Sequence, residues 1–334
     1  MDSSQAAHLA HQSSRQISTL STGHRAILVR AVENICNTDA ARMTYAQILD
    51  GVPIVPLLDG GNPGYTLPMS HPSRKEHQQL CPGAMLAYQS AAVGSRLFGT
   101  RLIELASRAI HQIAIEIALL DENFHKNDGW LSWVPPKTDD LFWTREVEGP
   151  PPTWFRISWY RHYKQYPCGA NDVIGYWAEN YIIGGVLLFD RRDPESPPPN
   201  DLAGNVDPDG VYIHPERDLT TYRICKLLHT QKKNYLDFLN SDHMDSIAIC
   251  PLPLKVDEDN VDRVDPEEHI LETGIYRDSW ERPPLADDEG DARLKDVITS
   301  SDYPRFSDWA VSNQRAFDRR EKIEREDAAK SGWR

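Results

Sequence analysis

The hydrophobic pattern changes character along the chain and divides it into segments. Over residues 17–49 the apolar positions Ile27, Leu28, Val32, Ile35, Ala40, Met43 and Ile48 keep helical spacing, which predicts one or two helices. Residues 50–83 lose that pattern. Asp59-Gly60-Gly61-Asn62-Pro63-Gly64 and the neighbouring prolines read as a long irregular segment of the kind that borders functional sites. Between 84 and 125, Leu97, Leu102, Leu105, Ala109, Ile113 and Leu120 restore helical spacing. The stretch 113–120 is apolar nearly all round, so it predicts a buried central helix.

Past Trp130 the chain becomes aromatic and β-branched. Residues 153–162 and 172–183 read as strands, Gly184-Gly185 as a hairpin turn, and 186–190 and 210–214 as further strands. Together they predict an antiparallel sheet of about four strands over 153–215. An amphipathic helix is expected over 219–240, with Asp218 as N-cap and Tyr222, Leu227, Leu228, Tyr235 and Phe238 facing inward. Residues 241–300 carry Asp257-Glu258-Asp259 and Asp287-Asp288-Glu289 and read as a solvated, acidic, loop-rich arm. A charged C-terminal helix is expected within 301–334, and 1–16, rich in Ser, Gln, Ala and His, reads as a disordered tail. Strands grouped in sequence, instead of alternating with helices, give the α+β class. The expectation is one domain over 17–300, its helical N-terminal half packed on the sheet.

Composition narrows the function classes. The formal net charge is −14, which opposes general binding to nucleic acid by long-range repulsion of phosphates. The cysteines are five, widely spaced, with no C-x-x-C pair, so neither a disulfide framework nor a zinc site is indicated. The polar start, Met1-Asp2-Ser3-Ser4-Gln5, lacks the features of a signal peptide. The longest apolar stretch, 109–120, is too short to span a bilayer and is interrupted by His111, Gln112 and Glu116. The expected location is the reducing cytoplasm, with no membrane contact.

The usual catalytic signatures are missing: there is no H-E-x-x-H, no G-x-G-x-x-G after a strand, no P-loop and no G-x-S-x-G. Asn171-Asp172-x-x-Gly175-x-x-x-Glu179 is spaced like the magnesium motif of terpene cyclases. That motif needs a helix to bring its ligands to one face, and a strand is expected here, so it reads as a chance match. Glu122-x-x-His125 and Asp242-His243-x-Asp245 read as helix-end and loop polarity, and Cys168 as a small residue in a turn. No metal and no cofactor is called for.

The expected sheet holds the best candidates. Alternation places Trp177, Glu179 and Tyr181 on one face of their strand and Asp172, Tyr176 and Asn180 on the other; Arg156, Ser158, Tyr160 and His162 share a face of the preceding strand. A carboxylate among aromatics is costly unless paired. Either Arg156 or Arg161 pairs with Glu179 structurally, or Glu179 reads a cationic substrate or moves protons. Glu179, His162, Tyr160 and Tyr176 are therefore candidate catalytic groups, and Asp172, Trp177, Arg156 and Asn180 candidate substrate-binding groups.

The stretch Ile157-Ser-Trp-Tyr-Arg-His162, then Asp172 to Glu179, Gly184 to Arg191 and Val211-Tyr-Ile-His-Pro215, resembles a widespread family of fungal hypothetical proteins. Through size and source it is similar to the fungal arginine-containing cyclodipeptide synthases. The resemblance implies an enzyme of specialised metabolism that condenses arginine with a second amino acid, with aminoacyl-tRNA as partner. Glu179 or Asp172 would hold the guanidinium, and His162, Tyr160 or Tyr176 would relay the amine proton. Two competing readings remain: a non-catalytic binding or scaffold protein, and a metal-dependent lyase or cyclase using Asp172 and Glu179.

Overall fold

The computed structural model describes residues 19–51, 53, 82–120, 153, 155–157, 159–195, 205–216, 221–242, 249–282 and 301–331. Among these are eight helices and a five-stranded antiparallel sheet, so the protein is α+β as expected. None of the described helices is long and apolar enough to cross a membrane. The chain divides into two compact units, one formed by residues up to 187 with 229–255, the other by 188–228 with 256 onward.

The first unit is helical. Helices α1 (Thr22–Cys36) and α2 (Asp39–Asp50) are separated by Asn37 and Thr38, and the Thr38 hydroxyl caps α2 by accepting the Ala41 N–H at 3.1 Å. Helices α3 (Pro82–Ser90) and α4 (Arg96–Leu120) split the single helical region expected over 84–125, and the break contains Gly94 at φ +84°. Helix α5 (Ala170–Ile183) packs along α4 and α2, and α6 (His229–Asn240) packs on α1. Asn34 of α1 fixes the last contact by donating to the Phe238 carbonyl at 2.9 Å.

Helix α5 corrects the strand expected over 172–183. Its β-branched and aromatic residues favour strands only weakly, and packing overrides that preference. Helical faces are legible only when one of them is wet; here Asp172 through Asn180 are all buried, so neither period stands out. The helix stops at Gly184, whose φ of +102° suits glycine; a Cβ there would lie 2.2 Å from the Leu254 carbonyl oxygen. Residues 153–162 are likewise not a strand: those described run irregularly into the turns that precede α5.

The second unit is built on the sheet, in the order β4-β3-β2-β1-β5. Strands β1 (Val186–Asp190) and β2 (Val211–His214) lie where expected. Strands β3 (Ile224–Lys226), β4 (Arg263–Val264) and β5 (Ile275–Tyr276) were not. The helix expected over 219–240 therefore begins only at His229, because Ile224 and Cys225 pair with β4 and Cys225 also with β2. Asp218 lies outside the described residues.

The acidic arm expected over 241–300 is corrected in part. Asp257, Glu258 and Asp259 are exposed, but 263–276 contributes β4, a short helix α7 (Ile270–Thr273) and β5, with Asp265, Glu267, Glu268, Asp278 and Glu281 buried. Charge runs read as solvated only while their partners are unknown, and here Asp265, Asp278 and Glu281 pair with the buried arginines Arg223, Arg277 and Arg282. Asp265 accepts from Arg223 Nε at 2.6 Å, and Tyr303 and Ser312 bind the same carboxylate at 2.9 Å each. Ser312 belongs to the expected terminal helix, α8 (Phe306–Ser331). The run 287–289 lies outside the described residues.

Candidate functional site

The helical form of 170–183 places Asp172, Gly175, Tyr176 and Glu179 at successive turns of one face of α5. His111 of α4 enters this face. Its Nδ1 lies 2.7 Å from Glu179 Oε1 and its Nε2 lies 3.1 Å from Asp172 Oδ1. Gly175 makes room for the ring: a Cβ there would sit 2.5 Å from Nε2 and 2.6 Å from Cδ2 and Cε1. The other Asp172 oxygen accepts the Cys168 N–H at 2.6 Å, in the first turn of α5, where the helix dipole favours negative charge.

Proton counting defines what this array can do. Two carboxylates flanking one imidazole are satisfied in two ways. Either both nitrogens donate and the ring is cationic, or the ring is neutral and one carboxyl carries a proton. The two states have the same net charge, so a proton can move between ring and carboxyl without a change in the net charge buried. Glu179 is 0% exposed and His111 only 8%, so the array operates largely away from solvent.

An aromatic shell surrounds it. The Tyr176 ring meets His111 edge-on at 4.6 Å, Tyr160 stacks on Tyr176 at 4.4 Å, and Tyr166 meets Tyr176 at 5.5 Å. Burial raises the Tyr45 and Tyr235 hydroxyls well above the usual phenol range, and the Glu179 charge pushes both in the same direction. The Tyr235 hydroxyl is buried and has no hydrogen-bond partner among the described residues.

The structure brings together Glu179, Asp172, Tyr176 and Tyr160 of the expected groups, with Asn180 buried beside Glu179 on α5. The remaining expected groups have other surroundings or exposure. His162 is exposed in a turn, Arg156 is half-buried, and Trp177 packs between Phe155 at 4.7 Å and Tyr181 at 4.6 Å. Of the two arginines expected to pair with Glu179, Arg161 donates its Nε to the Ile157 carbonyl at 3.3 Å, and a group that meets the Glu179 carboxylate is His111. In sequence His111 registered only as an interruption of an apolar stretch. A polar residue inside an apolar helix, with a glycine inside a second one, is the signal that could have pointed to this pair, had 170–183 been read as a helix.

The helix also restores the spacing of the magnesium motif, since Asn171, Gly175 and Glu179 now follow one another by turns. The imidazole, however, occupies the space between the two carboxylates. Among the described residues, no group of three or more His, Cys, Asp and Glu is disposed to hold a metal ion. Glu122 and His125 lie outside the described residues, as do His243 and Asp245. A separate open groove of about 420 Å³ is lined by Gln231, Asn234, Cys250, Leu252, Leu254 and Lys255. Comparison with protein-family models, with curated proteins and with solved structures found no match.

Proposed function

We propose that this chain is an enzyme of fungal specialised metabolism that forms cyclic dipeptides from aminoacyl-tRNA, one of the amino acids being arginine. The observation that supports an enzyme is the Asp172–His111–Glu179 array: an imidazole held at both nitrogens by carboxylates inside an aromatic shell. Amide formation by aminoacyl transfer needs such a group. The amine nitrogen attacks the ester carbonyl, the C–O bond to the tRNA breaks, and a proton travels from the amine to the leaving oxygen. His111 takes the relay role that the sequence suggested for His162, because His111 is the imidazole that meets the carboxylates. Positioning two aminoacyl groups side by side supplies much of the remaining rate. Tyr160 and Tyr176 offer flat rings, and Asp172 and Glu179 the negative charge, that a guanidinium substrate would meet.

The test is expression of the chain in a host whose extracts are searched by mass spectrometry for cyclic arginine dipeptides. Product is expected with the natural sequence and its loss with His111→Gln at equal yield of folded protein. Soluble wild-type chain without any such product would overturn the reading.

A second reading, a non-catalytic binding protein, is favoured by the burial of Glu179 at 0% exposure. There the array is purely structural. Glu179→Gln would then lower the melting temperature, and the wild-type chain would form no product.

A further inference from the structure

Buried arginines recur in the second unit, and most have their donors filled. Arg192 forks onto Asp190 at 2.9 and 2.6 Å and reaches the Asn205 carbonyl at 3.1 Å. Arg223 binds Asp265 at 2.6 Å and the carbonyls of Asp302 and Arg263 at 3.4 and 3.2 Å, with its guanidinium 4.2 Å from the Tyr303 ring centroid. Arg263 holds the carbonyls of Asn260, Asp257, Asp302 and Ser301.

Arg282 departs from this pattern. The residue is 5% exposed, and its Nη2 donates to the Ile275 carbonyl at 2.6 Å. Nε and Nη1 are buried with no hydrogen-bond acceptor among the described residues. The nearby carboxylate, Glu281, pairs with it in charge but fills none of these donors. Its Oε2 accepts the N–H groups of Arg277 and Asp278 at 2.9 and 3.1 Å, and its Oε1 stands 3.4 Å from Arg282 Nε without forming a hydrogen bond. Burial raises the Glu281 carboxyl, and the Arg282 charge opposes that rise. His214 supplies no anion. Its Nε2 donates to the Tyr222 carbonyl at 3.1 Å, and burial, then the Arg282 charge, pushes it down to about 3.

A guanidinium carries five N–H donors and loses its hydration on burial, so unfilled donors select for an acceptor that bears negative charge. We propose that Arg282 anchors a binding site in the second unit for a small ligand bearing an oxyanion, a carboxylate or a phosphate, that accepts from its unfilled donors. The ligand's oxygens fill the donors that the Glu281 ion pair leaves without a hydrogen bond. The site is independent of the Asp172–His111–Glu179 array.

The test is thermal unfolding of the full chain in chloride buffer, with inorganic phosphate and, separately, succinate added at constant ionic strength. One of the two should raise the wild-type midpoint saturably, by about 3 °C or more. Phosphate alone acting assigns a phosphate ligand, and succinate alone a carboxylate. Arg282→Met should abolish the rise, and its midpoint in chloride should fall below that of the wild type, because Glu281 loses its ion-pair partner and the Ile275 carbonyl its donor. A wild-type midpoint indifferent to both anions, or an equal rise in Arg282→Met, would overturn the proposal. Should Arg282→Met fail to fold, calorimetric titration of the wild-type chain decides: saturable heat with either anion, weakened in Arg282→Lys, supports the site, and none refutes it.

Discussion

Gly175→Ala tests the array through a sign reversal. In a helix interior, replacing Gly by Ala ordinarily stabilises by about 1 kcal/mol. At Gly175 the new methyl would stand 2.5 Å from His111 Nε2 and 2.6 Å from Cδ2 and Cε1. Ordinary carbon contacts need about 3.5–4 Å, so the ring must move by about 1 Å. That motion costs at least one of the ring's contacts, at 2.7 Å to Glu179 or 3.1 Å to Asp172. A hydrogen bond to a charged group contributes about 1.5–3 kcal/mol. Overpacking adds roughly 1–3 kcal/mol. Less the helical gain, the net expectation is a loss of about 1.5–5 kcal/mol. Urea unfolding followed by far-UV circular dichroism measures it. Gly99→Ala is the control: its methyl would stand 2.9 Å from Leu236 Cδ1, the mobile end of a leucine, so little change is expected. The decisive comparison is Gly175→Ala in a His111→Ala background. With the ring gone the substitution should stabilise by about 1 kcal/mol. An equal loss in both backgrounds would refute the argument that the ring is what the glycine accommodates.

Two further outcomes concern the second unit. His214 is neutral when folded, at about 3, against an ordinary imidazole value of about 6.5 when unfolded, so between these values the unfolded chain binds more protons and stability rises with pH. The contribution is complete above pH 6.5, falls by about 1.4 kcal/mol per pH unit below it, and reaches a loss of about 2 kcal/mol by pH 5. His214→Gln should flatten that acid limb in urea midpoints measured from pH 5 to 7, and an unchanged slope would contradict it. Tyr303→Phe removes a hydroxyl that binds Asp265 and meets Tyr222 and Ser312, all at 2.9 Å, while keeping the ring under Arg223. A loss of about 1–3 kcal/mol is expected in thermal unfolding, and no loss would show that the network does not hold α8 to the sheet.

Local pattern was sufficient wherever one face of an element is wet or a cap punctuates it. The helices at 22–36, 39–50 and 96–120 follow apolar spacing, and the strands Val186–Asp190 and Val211–His214 are apolar up to their last residue and stand out in sequence. The α+β class follows from that grouping. Pattern failed at 170–183, where burial on every side erases the stripe that tells a helix from a strand, and at β3, β4 and β5, which are two or three residues long and exist because they pair with distant segments.

The candidate site was half legible. Glu179, Asp172, Tyr176 and Tyr160 were visible as polar and aromatic groups in an apolar setting. Their helical alignment was not visible, because it depends on a secondary structure that tertiary packing selected. His111 lies 61 and 68 residues from its two carboxylates. Sequence spacing carries no information over such a distance, and only the packing of α4 on α5, across the gap that Gly175 leaves, joins the three. The same holds for the acidic segment after residue 256. Its charge was plain in the sequence, but whether each carboxylate faces water or a buried arginine is decided by the fold that brings Arg223 to Asp265 and Arg282 to Glu281.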